Sequence, residues 1–600
     1  MNLQQKYQQR VSLYTSSVKV LKRKNTGFVA GELLSFGALI TAAVCALVVE
    51  QSTGLWYAGA LLSLIVYFLI RHFDDKNKEQ ITHLSALLLV YEKELKALEG
   101  DFSPFETGEK YIDPKHPFTF DLDIFGSDSL YNRVCRTISS GGSDALASSF
   151  SRTSPLDKDE ILQRVALQKE LAEQDLEWRM EFLALGERNG QIDTRAVGRS
   201  IENVSSFSMP GWYGSAVSLV MAWVLIVGVC SSVVLAALDV IPASIPLWWV
   251  MVQYVVVFFC CKQTLDQIDS HGGKLRSHLV AYSHILQLIA RRRFHSVLGN
   301  QMQSQLADAL PSFAQLEKIL KGYDRRGNFL GLFFTDAFML SDFFLVRSFL
   351  KWKSTYMVKM EEWMGIVSEL DAAVSMADFR YNHPEATDAE IVDGSPVLFE
   401  AKNLHHPFLG AKAVKNDFTI HDDNYYIITG ANMAGKSTFL RSLGVNYILA
   451  MSGMPVFASS LKVSRFQLFS SMRTTDDLTH GISYFNAELL RLEQLMQFCK
   501  RGELRTLIIL DEILKGTNSL DKLNGSRLFL ESISRMPVTG VIATHDLELS
   551  RMAESSPGRF HNYCFEIDLG TDVTYTYKIQ PGVARNQNAT FLLNKILERN

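Results

Sequence analysis

Neither charge dominates this chain: 60 Lys and Arg stand against 64 Asp and Glu, and the net charge of -4 neither demands nor excludes a nucleic-acid partner for the molecule as a whole. Cysteine is sparse. The seven residues at 45, 135, 230, 260, 261, 499 and 564 never fall in C-x-x-C spacing, and four of them lie in apolar stretches. That pattern argues against a disulfide framework and a zinc site, and for reduced thiols. Acidic residues are missing from positions 1 to 26, which hold Lys6, Arg10, Lys19, Lys22, Arg23 and Lys24. A length of 600 residues far exceeds one ordinary core, so several domains are expected.

Charge is also nearly absent from four long stretches. Leu33 to Val49 and Leu55 to Ile70 are apolar around a short polar break that holds Glu50; Ser215 to Leu238 and Leu247 to Cys261 repeat the arrangement around a Pro-containing turn from Asp239 to Pro246. Each run approaches the roughly 20 residues that cross a bilayer as a helix, so the two pairs read as transmembrane hairpins. Two core hairpins of a large soluble protein are the other reading. Lys22 to Lys24, Arg71, His72 and Lys262 flank the runs, whereas the intervening loops carry Glu50 and Asp239. By the positive-inside tendency both termini and the long segments at 71–211 and 263–600 face the cytoplasm. The first run starts deep in the chain without a small-residue cleavage pattern, which favours an uncleaved anchor over a signal peptide.

The most specific local pattern is IITGANMAGKST, 427–438. Gly430, Gly435, Lys436 and Ser437 have the G-x-x-x-x-G-K-S spacing of a phosphate-binding loop. A β-type run, Tyr425 to Ile428, precedes it, and Phe439, Leu440, Leu443, Val445 and Ile448 follow with helical spacing. Strand, loop and helix are needed together, because the helix N-terminus and the loop N–H groups must point at phosphate oxygens. Gly430, Ala431, Asn432, Met433, Ala434, Gly435, Lys436, Ser437 and Thr438 form the expected cradle, with Lys436 reaching the β- and γ-phosphates and the Ser437 hydroxyl on Mg²⁺. ATP and Mg²⁺ are the expected ligands.

Downstream, TLIILDEILKGTNSLD at 506–521 reads as a buried strand ending in Asp511, which can hold Mg²⁺ through water, followed by Glu512, which can polarise an attacking water. A third strand, GVIATHD at 540–546, ends near His545. A lone histidine is usually structural, but one at the carboxyl end of a strand beside such a loop can contact the γ-phosphate.

Together these residues resemble the ATPase region of the MutS DNA mismatch-repair family. TGANMAGKST is similar to that family's T-G-P-N-M-G-G-K-S-T, DEILKGTNSLD to D-E-I-G-R-G-T-S-T-x-D, and ATHDLEL to A-T-H-x-x-E-L. HHPFL at 405–409 resembles the R-H-P that opens the domain, and TTDDLTHGISYFNAEL at 474–489 resembles D-D-L-x-x-G-x-S-T-F-x-x-E-M. The resemblance implies that Asp476 and Asp477 match the acidic pair and that Ser483 reaches across a dimer interface toward a neighbour's γ-phosphate. It implies too that Asn518 and Asp521 lie in a loop meeting the opposite subunit, so that hydrolysis needs two chains. Less specific likenesses, at 122–171 and 368–385, imply the family's helical core and the end of its long lever helix.

The departures bear on function. Residues 1–120 hold no Phe-x-Glu element of the kind with which the family wedges a mismatched base, and the second hairpin falls about where the family places its DNA clamp. Ala431 replaces Pro, Ala434 replaces Gly and Lys515 replaces Arg. Ala413 and Val414 stand where an aromatic would stack on adenine, and one helix at 589–598 is the only candidate for a carboxyl-terminal dimerisation element.

The expected organisation is a basic arm (1–26), a transmembrane hairpin (27–71), a first part of the helical core (72–211), a second hairpin (212–262), a core and lever segment (263–395) and an ATPase domain (396–600). The expected fold class is an α/β P-loop ATPase domain with a mostly parallel sheet, after an all-α region interrupted by membrane hairpins. The expected function is a membrane-anchored, MutS-like ATPase working as a homodimer. Catalysis falls to Glu512, Lys436, His545 and Ser483. Duplex DNA remains a candidate partner through the arm and Arg291 to Arg293, although an arm beside a membrane also suits anionic lipid and the three arginines also suit a solvated helix face. An ABC-type transporter is the rival, yet AELLRLEQLMQFCKRGELRT before the Asp-Glu strand has no L-S-G-G-Q. A nucleotide-gated scaffold with little turnover is the third reading.

Overall fold

The computed structural model describes residues 2–48, 53–173, 176–206, 211–324, 335–394, 396–473, 484–502, 504–569 and 573–585. Ser483, Asp476, Asp477 and the expected helix at 589–598 lie outside the described residues. The described chain is helical up to Asn382 and mixed α/β beyond it.

Helices α1 (Leu3–Val48) and α2 (Thr53–Leu98) have 46 residues each and so run about 69 Å. They pack antiparallel, with Gly31 against Ile70 and the Asn77 amide donating to the Leu21 carbonyl at 3.2 Å. That register brings Lys22 to Lys24 and Arg71 to the same side of the apolar zone. The basic segment expected as an arm is helical from Leu3 onward and continuous with the apolar run that follows it.

A helical core follows: α3 (Leu130–Val134), α4 (Ser140–Ser151), α5 (Lys158–Glu173), α6 (Leu176–Asn189) and α7 (Thr194–Ser206). The second apolar pair forms α8 (Ala216–Ala237) and the amino-terminal half of α9 (Ser244–Arg291). Pro246, expected in the turn, lies instead in the first turn of α9, where its missing N–H costs no helical bond. Among the described residues four helices are long and apolar enough to cross a membrane: Leu3–Val48, Gly54–Leu98, Ala216–Ala237 and Ser244–Ile268. Their large side chains, among them Leu34, Leu47, Leu55, Val217, Trp248 and Phe259, are exposed.

Helices α10 (Val297–Gln305) and α11 (Ala309–Asp324) lead to the long helix α12 (Ser341–Asn382). One apolar core, with Phe182, Leu265, Trp352 and Trp363, surrounds most of α12. Its last turns, at Ala372, Met376 and Phe379, belong to a second core shared with the sheets. A buried polar cluster pins this end to the first hairpin. Tyr7 donates to Asn382 at 2.9 Å, the Asn382 amide donates to Glu94 at 2.9 Å, Glu94 pairs with Arg136 at 2.5 Å, and Asp378 pairs with Arg179 at 2.8 Å.

The run Arg291 to Arg293 is not a uniformly solvated face. Arg292 is buried over the Trp178 ring, 4.7 Å from its centroid, and lies 3.8 Å from Glu170, because α9 ends there and the backbone turns extended.

The carboxyl-terminal region holds β1 (Glu390–Val392), β2 (Leu398–Leu404), β3 (Asn416–His421), β4 (Tyr425–Gly430), α13 (Lys436–Met451), β5 (Ser460–Ser464), β6 (Gln467–Ser471), α14 (Tyr484–Arg501), β7 (Thr506–Asp511), α15 (Ser519–Ile533), β8 (Val538–Thr544), α16 (Met552–Ser555), β9 (Phe560–Leu569) and β10 (Val573–Pro581). A four-stranded sheet has the order β1-β5-β2-β3, and a six-stranded sheet the order β10-β9-β4-β8-β7-β6. In the larger sheet every neighbouring pair is parallel except the antiparallel edge strand β10. β4 and β8 are buried along their whole length, as their runs of β-branched and aromatic residues require of central strands.

Candidate functional site

Strands β4, β8 and β7 lie side by side with their carboxyl ends level: Thr429 pairs with Thr544, and Asp511 with Ala543. Whatever follows each strand therefore emerges at one edge, the edge at which parallel sheets bind ligands. Ala431 to Gly435 follow β4, Glu512 follows β7 and His545 follows β8. The third strand starts at Val538 and stops at Thr544, leaving His545 just past its end.

Two glycines shape the loop. A Cβ on Gly430 would sit 2.9 Å from the Phe565 carbonyl oxygen, closer than real Cβ atoms come. Gly435, the residue before α13, has φ of 105°, which costs only glycine little. Lys436 begins the helix and is buried, its Nζ donating to the carbonyls of Gly430 at 2.8 Å and Ala431 at 2.9 Å. Burial pushes its ammonium down to about 8, against the opposing pull of Asp511 and Glu512. Ser437 and Thr438, in the first turn, stay exposed.

Glu512 is held in the left-handed region at φ of 62°, its N–H donating to the Ala543 carbonyl at 2.9 Å. Its carboxylate lies 3.4 Å from Lys522 Nζ and 3.5 Å from His545 Nε2. Burial lowers the His545 pKa, and the nearby Lys436 charge lowers it further. Lys436, Ser437, Asp511, Glu512 and His545 all line a cleft of about 770 Å³.

The structure adds residues that carried no assigned role in the sequence. Tyr577, on β10, lines the same cleft, and its ring would stand 3.0 Å from a Cβ on Gly435. It has φ of 53° at an irregularity in β10, where Asn416 receives the Ile579 N–H at 2.9 Å and donates to the Tyr577 carbonyl at 3.1 Å. No local pattern marks Tyr577, because Asn416 and the sheet bring it to the loop from far along the chain. Glu488 lies inside a stretch already singled out, and its carboxylate receives the N–H groups of Lys515 and Gly516, both at 3.0 Å. It thus shapes the loop after Glu512. His406 also lines the cleft; burial pushes it down to about 4, so it is neutral at pH 7.

Asn518 caps α15, accepting the Asp521 N–H at 2.9 Å and donating to its carboxylate at 2.7 Å. Both residues have defined partners within one chain.

Residues 426–591 match the family model described as MutS domain V. This domain is of the MutS family. Among its relatives is a DNA mismatch repair protein MutS of Staphylococcus haemolyticus, 28% identical over 240 residues that make up 38% of this chain and 26% of that one. Another is the DNA mismatch repair protein MSH2 of Zea mays, 30% identical over 257 residues, with the same shares. A third, the MutS protein of Rickettsia bellii, is 34% identical over 212 residues, 34% of this chain and 23% of that one. The chain thus spans about a quarter of the length of these curated relatives. The family match takes in Lys436, Asp511, Glu512, His545 and Tyr577 of the cleft.

Proposed function

We propose that this MutS family member is a membrane-anchored ATPase whose carboxyl-terminal domain binds ATP at the phosphate loop and works as a homodimer. One observation carries the reading: Lys436, Glu512 and His545 converge from three parallel strand ends on one cleft, which the loop 432–435 also lines.

In this reading the triphosphate lies along 430–438, and Lys436 exchanges its two carbonyl contacts for phosphate oxygens. Asp511 and Ser437 would hold Mg²⁺, which when bound supplies positive charge to the phosphate oxygens. The residues fit that ion: a carboxylate and an exposed hydroxyl line the same cleft, and Mg²⁺ takes such oxygen donors together with phosphates. Glu512 orients water and accepts its proton, and His545, neutral at pH 7, donates to the γ-phosphate. Tyr577 stands where an adenine can stack, supplying the aromatic face that Ala413 and Val414 lack. Ser483 of a second copy would complete the site.

Four apolar helices with exposed side chains support the anchor, since an apolar surface of that extent needs lipid or protein to cover it. Both hairpins meet α12, so closure of two ATPase domains would move helices that enter the bilayer. The relatives named for mismatch repair bring DNA as an analogy. Arg292 is used internally, Lys6 bonds Tyr381 at 2.6 Å and Arg10 bonds Glu177 at 2.6 Å, which removes three of the cations that reading relied on.

The test is ATP binding by the full chain in lipid nanodiscs. Wild type should saturate with a fluorescent ATP analogue and Lys436→Ala should not bind it; equal affinity in the two proteins would overturn the site.

A further inference from the structure

The amino-terminal end of α12 sits against the second hairpin at a depth that hydropathy does not disclose. Gln253, within the apolar part of α9, is buried and donates through Nε2 to the carbonyl of Ala337 at 3.0 Å. Ala337 packs with Val229 of α8 and Val250 of α9, and Tyr254 and Phe338 close over them. Further along, Phe344 lies 5.8 Å from Trp223, and Arg347 donates to the carbonyls of Tyr213 at 2.6 Å and Ser215 at 2.9 Å. From Arg347 back to Ala337 the chain thus climbs α8 from its first residues to Val229.

Two measures of depth agree. Val229 lies about 20 Å along α8 from Ala216, and Gln253 about 14 Å along α9 from Ser244 at the opposite end, both at 1.5 Å per residue. Their sum is close to the hydrocarbon thickness of roughly 30 Å. Ala337 is therefore near the middle of the layer that the two helices would cross.

The break in the helix there is covered from within the protein. Leu340, at φ of 51° and ψ of 43°, interrupts the helix between 335–339 and α12, exposing backbone groups that lipid cannot satisfy. Asp336, fully buried, receives the N–H of Asp342 at 2.8 Å and the hydroxyl of Ser341 at 2.6 Å, while Gln253 covers the Ala337 carbonyl. Met339 remains 66% exposed beside them, on the outside of this arrangement. α11 runs antiparallel to α12, with Ser312 accepting from Trp352 at 3.0 Å and Asp308 pairing with Lys359 at 2.8 Å. Both legs thus leave toward the same side.

We propose that residues 335–347 form a re-entrant, membrane-embedded tip whose Met339 side contacts lipid acyl chains, so that α12 is one rod from mid-bilayer to the ATPase domain. At 42 residues that rod is about 63 Å long. The proposal rests on the membrane reading above and adds a fifth embedded element to it.

The test uses the full chain in nanodiscs, with photoreactive benzoylphenylalanine introduced singly at Met339, at Trp248 within α9 and at Val358, which is 90% exposed on α12 away from the hairpin. Lipid adducts are read by mass spectrometry after illumination. Adducts at Met339 and Trp248, at least tenfold above Val358, are expected. Adducts at Trp248 with none at Met339 would overturn the embedded tip and leave the anchor standing. Absence at both would overturn the membrane reading and the tip with it.

Discussion

The Nζ of Lys436 lies 3.4 Å from both ring nitrogens of His545, so an ammonium and an imidazole share one corner of the cleft. The Lys436 charge, after burial, disfavours the charged form of His545. With the Lys436 ammonium pushed down to about 8 from 10.5, the folded protein binds fewer protons than the unfolded chain between those values. The destabilisation by this buried charge is complete below about pH 8 and is relieved as pH rises toward 10.5.

ATP binding should reverse that shift, because phosphate favours the ammonium. Binding at pH 8.5 is expected to take up a proton, seen by calorimetry in two buffers of different ionisation enthalpy. The share due to Lys436 should diminish at pH 7.5. Buffer-independent heats at pH 8.5 would contradict the predicted contact.

Glu512→Gln keeps the side chain's size and removes its capacity as a base. Phosphate release in a single turnover should fall by about 100-fold or more while ATP affinity is retained, given the usual reach of general-base catalysis. An ATP-dependent dimer should then persist on gel filtration. Hydrolysis at the wild-type rate would remove Glu512 from the mechanism.

Tyr577→Ala should weaken ATP binding by about 1–3 kcal/mol, the range for one base stacked on an aromatic ring, whereas Tyr577→Phe should change little. Inorganic triphosphate has no base to stack, so its affinity should be equal in all three proteins. A matching loss for triphosphate would instead assign Tyr577 to support of the loop.

Asp371, on α12, accepts the N–H groups of Ile138 at 3.0 Å and Ser139 at 2.9 Å, and the Ser139 hydroxyl at 2.7 Å. Asp371→Asn puts a donor among donors, at a cost of about 1–3 kcal/mol. A thermal melt should register the loss at pH 7, with ATP affinity unchanged. Burial pushes this carboxyl up to about 7, so the folded state binds the extra proton between 3.8 and 7. Its contribution to stability is present at low pH and lost as pH rises through 7, and the gap between wild type and variant should narrow accordingly.

The placement of the glycine loop, the Asp511-Glu512 pair and His545 was legible in the sequence because each lies within a few residues of a strand end, where local pattern is strongest. The long apolar runs were legible for a similar reason: their length and lack of charge are local properties. The triple arginine misled, since composition does not tell which of three neighbours turns inward at the end of a helix, and Arg292 does.

What the sequence by itself determined is thus the glycine loop with its Lys-Ser pair, the acidic and histidine residues at strand ends, and the segments long and apolar enough to cross a membrane. Only the tertiary structure decided their company. Parallel register set the Lys436, Glu512 and His545 ends level, Asn416 turned Tyr577 over the loop, and Gln253 met Ala337. The physical reason is the same in each case. These contacts join residues far apart in the chain, and they are chosen by which buried donors and carbonyls must find partners once the core has closed.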